Sequence, residues 1–247
     1  MKYLYYNGDS FCGVGIEKDE TLGQLLGDKY NLEVNHAWQG GSSNHRIHRT
    51  TVNHIMNNQS KLQDTLFLIG WTKPTRFELY DTTHKKYIPI NGQINVGYRT
   101  YKKVGMAFIT NMSRTDAENF EVSDEFKKEY ITKFVDFDNM LEEHMRRVYS
   151  LECILKANNC KYLFWNAFPD TCILHPDLPD KIQLWNKAVE IFDWENWILP
   201  DNSLDLYLNQ FPRADVRQGP HDDHPNKLGH LIWFEVVSEK INSMNIL

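Results

Sequence analysis

The sequence contains few cysteines, and they are not paired at short spacing. Four are present, at Cys12, Cys153, Cys160 and Cys172, and none belongs to a C-x-x-C motif. Zinc knuckles and dithiol redox centres require such closely spaced pairs, so neither kind of site is supported. We interpret the cysteines as buried thiols of a protein in a reducing compartment.

A surplus of basic residues is also missing. The 27 lysines and arginines are outnumbered by 33 aspartates and glutamates, which gives a formal net charge of −6. A chain with this balance carries no positive field that would attract a phosphate backbone. We therefore expect no nucleic-acid partner, and small neutral or mixed-charge molecules are better candidates for a ligand.

Long apolar runs are absent as well. No stretch approaches the ~20 apolar residues of a membrane span. The N-terminus lacks a basic segment followed by a long apolar run, which is the pattern of a signal peptide. The prediction is a cytoplasmic protein without a membrane span, and no pattern predicts its oligomeric state.

What is present is an alternation of strand and helix patterns. Short apolar runs that end at glycine or polar residues predict strands, and amphipathic spacing predicts helices. The strands are predicted at residues 2–7, 32–37, 65–70 and 161–165, and the helices at residues 17–26, 44–59, 124–157 and 182–192 and after Pro225. Such alternation is typical of an α/β protein with a parallel sheet, whose ligands bind beyond the carboxyl ends of the strands.

The pattern loosens between about residues 80 and 121 into short polar and aromatic pieces. We interpret this region as an insertion or lid over the sheet. No internal repeat, low-complexity tract or interdomain linker is found. The simplest organisation of the 247 residues is therefore a single domain, 1–247, that carries this insertion.

The first candidate for catalysis is Ser10, in the run Gly8-Asp9-Ser10 directly after the first predicted strand. A serine hydroxyl is a weak nucleophile, so it needs a base within hydrogen-bond reach and N–H donors aimed at the developing negative charge. A glycine-rich turn at a strand end offers free N–H groups of this kind. By itself the tripeptide arises often by chance, and a turn or a helix cap is the alternative interpretation.

The second candidate is His224, in a run that includes Asp222, Asp223 and Pro225. A catalytic imidazole is oriented by a third group, and a carboxylate one or two residues upstream can accept its Nδ1–H. Proline suits the first position of a helix, so we expect His224 on a loop at the start of a C-terminal helix. The alternative is a helix N-terminus that His224 merely caps.

Together the two motifs resemble the GDSL, or SGNH, hydrolases, in which a Gly-Asp-Ser run stands near the N-terminus and a block with the catalytic Asp and His near the C-terminus. The resemblance implies a three-layer α/β/α sandwich with a mainly parallel, flavodoxin-like sheet. It also implies Ser10 as nucleophile and His224 as base. His221 stands three residues before His224, where the family's aspartate is expected, so we expect Asp222 to orient the imidazole, with Asp223 behind it.

Two further blocks of the family have counterparts between these ends. Gly40 and Gly41, after the second predicted strand, resemble the block whose glycine N–H donates to the oxyanion. Residues 70–72 resemble the block that normally reads Gly-x-Asn, but Thr72 stands in place of the oxyanion-hole asparagine. Either the Asn44 amide or the Thr72 hydroxyl then supplies the missing donor, and the sequence leaves both possibilities open.

The resulting hypothesis is acyl-ester hydrolysis through an acyl-enzyme, without a metal or a cofactor. The substrate is expected to be a small-molecule or glycan ester. An acetylated carbohydrate is preferred because Trp38, Trp71 and Trp165 fall at or near predicted strand ends, where aromatic walls can hold a sugar. Core packing is the alternative for each tryptophan. At the rim of the same edge, Arg76 and Glu78 are expected to pair with one another.

Two other classes of function stay open. One is a non-catalytic binding protein that kept the fold after losing the oxyanion asparagine at Thr72. The other is a metal-dependent phosphodiesterase, although the other strand ends offer few metal ligands. Its candidate ligands are His221, Asp222, His224 and His230.

Overall fold

The computed structural model describes residues 1–82, 85–91, 137–169 and 190–247. The strands of its main sheet are β1 (Tyr3–Asn7), β2 (Glu33–His36), β3 (Thr65–Trp71) and β6 (Lys161–Asn166). The helices are α1 (Leu22–Tyr30), α2 (Asn44–Asn57), α3 (Phe137–Ala157), α4 (Leu204–Leu208), α5 (Arg213–Val216) and α6 (Lys227–Met244). Two antiparallel hairpins accompany them, β4 (Arg76–Asp81) with β5 (Lys86–Asn91) and β7 (Arg217–Gly219) with β8 (Asp222–Pro225).

The main sheet has the strand order β2-β1-β3-β6, and every neighbouring pair is parallel. This is the order of a flavodoxin-like sheet through its first four strands. Beyond β6, Trp197 forms a parallel bridge to Phe164, and Ile198 N donates to Phe164 O at 2.8 Å. A fragment of a fifth strand therefore continues the same order, and the predicted α/β architecture is confirmed.

Alternate side chains of each strand point to opposite faces of the sheet, and they form two separate cores. Tyr5 and Phe67 belong to the core covered by α2 and α3. Tyr6 and Leu68 belong to the core covered by α1 and α6. Every residue of β3 is buried, as expected for a central parallel strand with helices on both sides.

The first helix is shifted towards the C-terminus relative to the prediction, because Lys18–Glu20 form a separate 3₁₀ turn and Thr21 caps α1. Gly27 does not end α1, which runs to Tyr30 and closes at Asn31 in the left-handed conformation, with φ 53°. Gly27 is used for close packing instead, because a Cβ there would lie 2.3 Å from Val34 Cγ2. The glycine that predicted a helix end therefore lets α1 lie closely on β2.

The start of the C-terminal helix also differs from the prediction. Pro225 is not its first residue but the last residue of β8. Asn226 caps α6 by accepting a hydrogen bond from Gly229 N at 3.0 Å. His224 consequently lies on a short strand of a hairpin and not on a loop, because Pro225 is paired with Arg217 of β7.

Part of the prediction falls on residues outside the described ranges. These are the insertion beyond residue 91, residues 124–136 of the long predicted helix and most of the predicted helix at 182–192. The single-domain organisation stays a prediction. In the described ranges, no helix is long and apolar enough to span a membrane.

The core under α3 contains a histidine that is expected to make stability depend on pH. His144 is 1% exposed, and neither of its ring nitrogens has a hydrogen-bond partner among the described residues. Burial, with a contribution from Arg147, lowers its pKa to about 3. The unfolded chain, with a histidine pKa of about 6.5, therefore binds a proton that the native state excludes.

We expect this histidine to lower the free energy of unfolding as the pH falls from about 6.5 towards 3, by about 1.4 kcal/mol per pH unit. His144→Leu should therefore raise stability more at pH 5 than at pH 7.5, as measured by urea unfolding. An equal change at both pH values would contradict this account.

Candidate active site

β1 ends in a fully buried asparagine that fixes the start of the site. Asn7 Nδ2 donates to Ile47 O at 3.1 Å and to Thr51 Oγ1 at 3.0 Å, both on α2. Asn7 Oδ1 accepts from Gly8 N at 2.9 Å. Because these bonds link the end of β1 to α2, the chain leaves the sheet at Gly8 in a defined direction.

Ser10 opens a short 3₁₀ turn, Ser10–Cys12, at the carboxyl end of β1. Asp9 caps this turn, since its Oδ1 accepts from Phe11 N at 3.0 Å. Ser10 is 5% exposed, and its hydroxyl makes no hydrogen bond to any described residue. The hydroxyl is thus placed at the sheet edge without a competing partner in the described part of the chain.

The loop after β2 brings Gly40 and Gly41 to the same edge. Gln39 N donates to Gly8 O at 3.3 Å, which ties this loop to the segment before Ser10. Gly41 has φ 73°, a conformation that favours glycine. In the described structure, the backbone N–H groups of Ser10, Gly40 and Gly41 have no acceptor. Free N–H groups at the edge that carries Ser10 are available to bind an anion.

Both side chains considered for the missing donor already have hydrogen-bond partners, Asn44 on the backbone of Thr72 and Thr72 on Asp9. Thr72 N donates to Asn44 Oδ1 at 2.9 Å, and Asn44 Nδ2 donates to Thr72 O at 2.8 Å and towards Lys73 O at 3.5 Å. The Thr72 hydroxyl donates to Asp9 Oδ2 at 2.7 Å. These groups hold the end of β3 against α2 and the Ser10 turn, so their hydrogens are already in use.

The strand β8 carries His224 and an acid that contacts it. His224 Nδ1 lies 2.6 Å from Asp222 Oδ1, which also accepts from His224 N at 2.9 Å. Burial acts to raise the pKa of the Asp222 carboxyl, but the bonds from the His224 backbone and imidazole outweigh it, and the pKa lies below its usual value. Asp223 pairs instead with Arg213 at 2.8 Å. An ionised Asp222 favours the tautomer with the proton on Nδ1 and the lone pair on Nε2.

The last hairpin packs on the first turn and so brings His224 to the edge that holds Ser10. The ring centroids of Phe11 and His224 are 5.5 Å apart. Gln218 Nε2 donates to Val14 O and to Pro225 O, the latter at 3.1 Å. No hydrogen bond joins Ser10 Oγ to His224 in the described structure, so the fold gathers the two groups without linking them directly.

Sequence reasoning missed the arginine that holds this hairpin. The Arg217 side chain is 1% exposed. It donates to Asp223 O at 2.5 Å, to Asp205 Oδ1 at 2.9 Å and to Asn209 Oδ1 at 3.1 Å. A buried guanidinium with several acceptors fixes the backbone beside His224 to α4. Arg217 lies in a segment without helical or strand periodicity, so no sequence signal marked it.

The tryptophans near the strand ends do not share one role. Trp71 and Trp165 are fully buried, one in each core, so the core-packing interpretation is correct for both. Trp38 is half-buried and keeps some exposed surface. Of the three, Trp38 alone retains a surface that a substrate can contact.

The expected pair between Arg76 and Glu78 is wrong. Arg76 Nη1 lies 2.5 Å from Asp9 Oδ2, while Glu78 pairs with Arg49 at 3.1 Å. The physical reason is that Asp9 is completely buried, and a buried carboxylate requires a compensating charge. Arg76 and Glu78, although close in sequence, therefore pair with different residues that are distant in sequence.

The ligands of the metal hypothesis do not form a cluster. Within the described ranges, no group of three or more His, Cys, Asp or Glu side chains is arranged to hold a metal ion. His230 lies inside the protein on α6, where burial lowers its pKa to about 4. Because His230 is packed in the core, it does not lie with the other three residues that the metal hypothesis proposed as ligands.

No protein-family profile and no curated protein sequence matches this chain. Its fold nevertheless matches solved structures. A psychrotrophic esterase, EstA from a Pseudoalteromonas species, matches with a TM-score of 0.52 and 11% identity over 100% of both chains. TesA matches with a TM-score of 0.51 and 11% identity over 97% of this chain and 98% of its own. LAE5, an alpha/beta hydrolase from the metagenome of Lake Arreo in Spain, matches with a TM-score of 0.50 and 9% identity over 98% of this chain and 95% of its own.

These likenesses extend over nearly the whole length of each chain and establish the fold. The predicted three-layer α/β/α sandwich with a mainly parallel sheet is confirmed, and so is the resemblance to the SGNH hydrolases at the level of the fold.

The placement of Asp222 predicts a difference between two neighbouring substitutions. Asp222→Asn should remove the charge that holds the His224 Nδ1–H, so the downfield proton NMR signal of this group should shift upfield or disappear. Asp223→Asn, which removes only a surface pair with Arg213, should leave the signal in place. If both variants keep the signal, Asp222 is not the residue that orients the imidazole.

Proposed function

We propose that this chain, which has the fold of the SGNH hydrolases, is a serine ester hydrolase that works through an acyl-enzyme. One observation carries the proposal, the convergence of three features at the carboxyl edge of the sheet. The first is the Ser10 hydroxyl, and the second is a set of three backbone N–H groups; neither has a partner among the described residues. The third is the His224 imidazole, which is bonded to a carboxylate. The esterase among the structural matches supports the same reaction class.

In the proposed mechanism His224 is the base. With Nδ1 bonded to Asp222, its Nε2 takes the proton of Ser10 while Ser10 Oγ attacks the carbonyl carbon of the ester. Asp222 stays ionised and stabilises the imidazolium. A hydrogen bond between nucleophile and base is often long in an empty site and shortens when the substrate binds, which accommodates the missing Ser10–His224 bond.

The attack places negative charge on the former carbonyl oxygen. The N–H groups of Ser10 and of Gly40 or Gly41 are proposed to hold this oxyanion. When the tetrahedral intermediate collapses, the bond to the alcohol oxygen breaks and His224 returns its proton to that oxygen. A water molecule, deprotonated by the same imidazole, then attacks the acyl-enzyme, releases the carboxylic acid and restores Ser10.

The proposed substrate class is a small acyl ester, and an acetylated carbohydrate is the finer proposal. An aromatic ring with exposed surface can pack on a sugar, and Trp38, which keeps some exposed surface, lies in the loop that carries Gly40 and Gly41. Trp38 is therefore the residue that we expect to contact the sugar.

A non-catalytic binding protein is the alternative that one observation favours. The Asn44 amide is bonded to the backbone of Thr72, and the Thr72 hydroxyl is bonded to Asp9, so neither supplies the family's third oxyanion donor in a free form. Loss of one such donor typically costs about 10²–10³ in rate. An active enzyme therefore needs a replacement for this donor.

Substitution of the nucleophile and the base tests the proposal. Ser10→Ala and His224→Ala should each lower kcat for 4-nitrophenyl acetate by at least about 10³-fold, because each removes a group from the bond-making step. The thermal midpoint of unfolding should stay close to that of the parent chain. Retained turnover in either variant would overturn the assignment.

The control is His221→Ala, assayed with and without a chelator. His221 is exposed and three residues from His224 in sequence. A serine mechanism predicts near-parental kcat in this variant and no effect of the chelator. Loss of turnover in both experiments would favour the metal-dependent alternative.

A further inference from the structure

Arg76 lies where the site lacks a donor. Its Nη1 is 2.5 Å from Asp9 Oδ2 and 2.7 Å from Thr72 Oγ1. A turn after β3, closed by the bond from Arg76 N to Lys73 O at 3.1 Å, folds the chain back and places Arg76 next to Thr72. The guanidinium is thus bonded both to the residue before Ser10 and to the residue that replaces the family's asparagine.

The guanidinium is held rigidly but is only partly used. Nη1 gives its two hydrogens to Asp9 and Thr72, whereas Nε and Nη2 have no acceptor among the described residues. Arginine has five N–H donors in a planar fork, so three remain for a ligand. The ring of Phe168 lies 5.2 Å from Arg76 Cζ and supports the plane. The side chain is 14% exposed, so part of it stays accessible.

The geometry also explains how an arginine can stand in for an asparagine. The threonine side chain ends one bond earlier than the asparagine amide would, and the Thr72 hydrogen is given to Asp9. A nitrogen of Arg76 lies at hydrogen-bond distance beyond that hydroxyl. The guanidinium therefore lies next to the side chain that replaces the asparagine, and its N–H groups on Nε and Nη2, unused among the described residues, are the ones left for an oxyanion.

We propose that Arg76 is the third oxyanion donor of this site and replaces the family's asparagine. This inference rests on the proposed ester hydrolysis. A guanidinium stays charged at all working pH values, and in a site that excludes water its attraction for a developing oxyanion is stronger than in solution. In the resting state Asp9 balances the charge of Arg76, and the negative charge of the tetrahedral intermediate is met by the N–H groups that Asp9 does not use.

The main test removes the guanidinium without leaving Asp9 as an unpaired buried charge. In the variant Asp9→Asn/Arg76→Gln both charges are removed together, and the amide oxygen introduced at position 9 would still accept from the Phe11 N–H. We expect kcat for 4-nitrophenyl acetate to fall by about 10²–10³ with KM little changed, because the lost interaction exists in the transition state. Addition of Thr72→Asn should recover at least tenfold of this loss.

A second readout separates this role from a purely structural one. An alkyl boronic acid forms a tetrahedral adduct with an active serine, so its inhibition constant should rise by about the factor by which kcat/KM falls. Lys73→Gln is the matched control, since Lys73 lies over the same Phe168 ring at 4.6 Å but bonds to neither Asp9 nor Thr72. Its kcat should stay within about twofold of the parent.

The outcomes discriminate between the proposals. Parental kcat in Asp9→Asn/Arg76→Gln, or a loss that Thr72→Asn does not relieve, would overturn the role of Arg76 while leaving the hydrolase intact. If the double variant does not fold, Arg76→Lys keeps a cation for Asp9 but removes the fork, and an unchanged kcat there would equally overturn the role. Absence of turnover in the parent chain would instead refute the proposed function itself.

Discussion

The candidate site depends on one packing contact, the seating of the last hairpin on the first turn. Gln218 bridges Val14 O and Pro225 O, two segments more than 200 residues apart in sequence. The imidazole of His224 consequently lies against the ring of Phe11, one residue after Ser10. Without this contact His224 would lie on a hairpin that does not touch the turn carrying Ser10.

The parallel sheet supplies the second half of the site. Because β1, β2 and β3 run in the same direction, the turn at Ser10, the loop at Gly40 and the segment at Thr72 all emerge at one edge. The buried carboxylate of Asp9 then organises this edge, since it accepts from the Phe11 N–H, the Thr72 hydroxyl and Arg76. Burial of a charge makes such partners obligatory, so the chemistry and the stability of the edge are coupled.

The elements that have a local sequence pattern were predicted correctly for the most part. The contacts between residues that are distant in sequence were not predicted. The buried run of β3 and the succession of strands and helices along the chain follow from hydrophobic pattern and alternation, whereas the flavodoxin-like sheet was implied by the family resemblance. Gly27 was predicted to end a helix and Pro225 to begin one, and both predictions were wrong. Gly27 allows close packing on β2, and Pro225 is paired with Arg217 in the last hairpin. The partners of Arg76 and Arg217 depend on which distant acceptors the fold brings close. No spacing rule encodes such long-range pairs.

The proposed hydrolysis requires Ser10 to be an activated nucleophile in the folded chain. The most direct measurement is treatment with a fluorophosphonate, followed by mass spectrometry of the peptides to locate the adduct. We expect one adduct, on Ser10, in the folded protein and little or none after unfolding. A folded protein whose Ser10 stays unmodified would contradict the proposal.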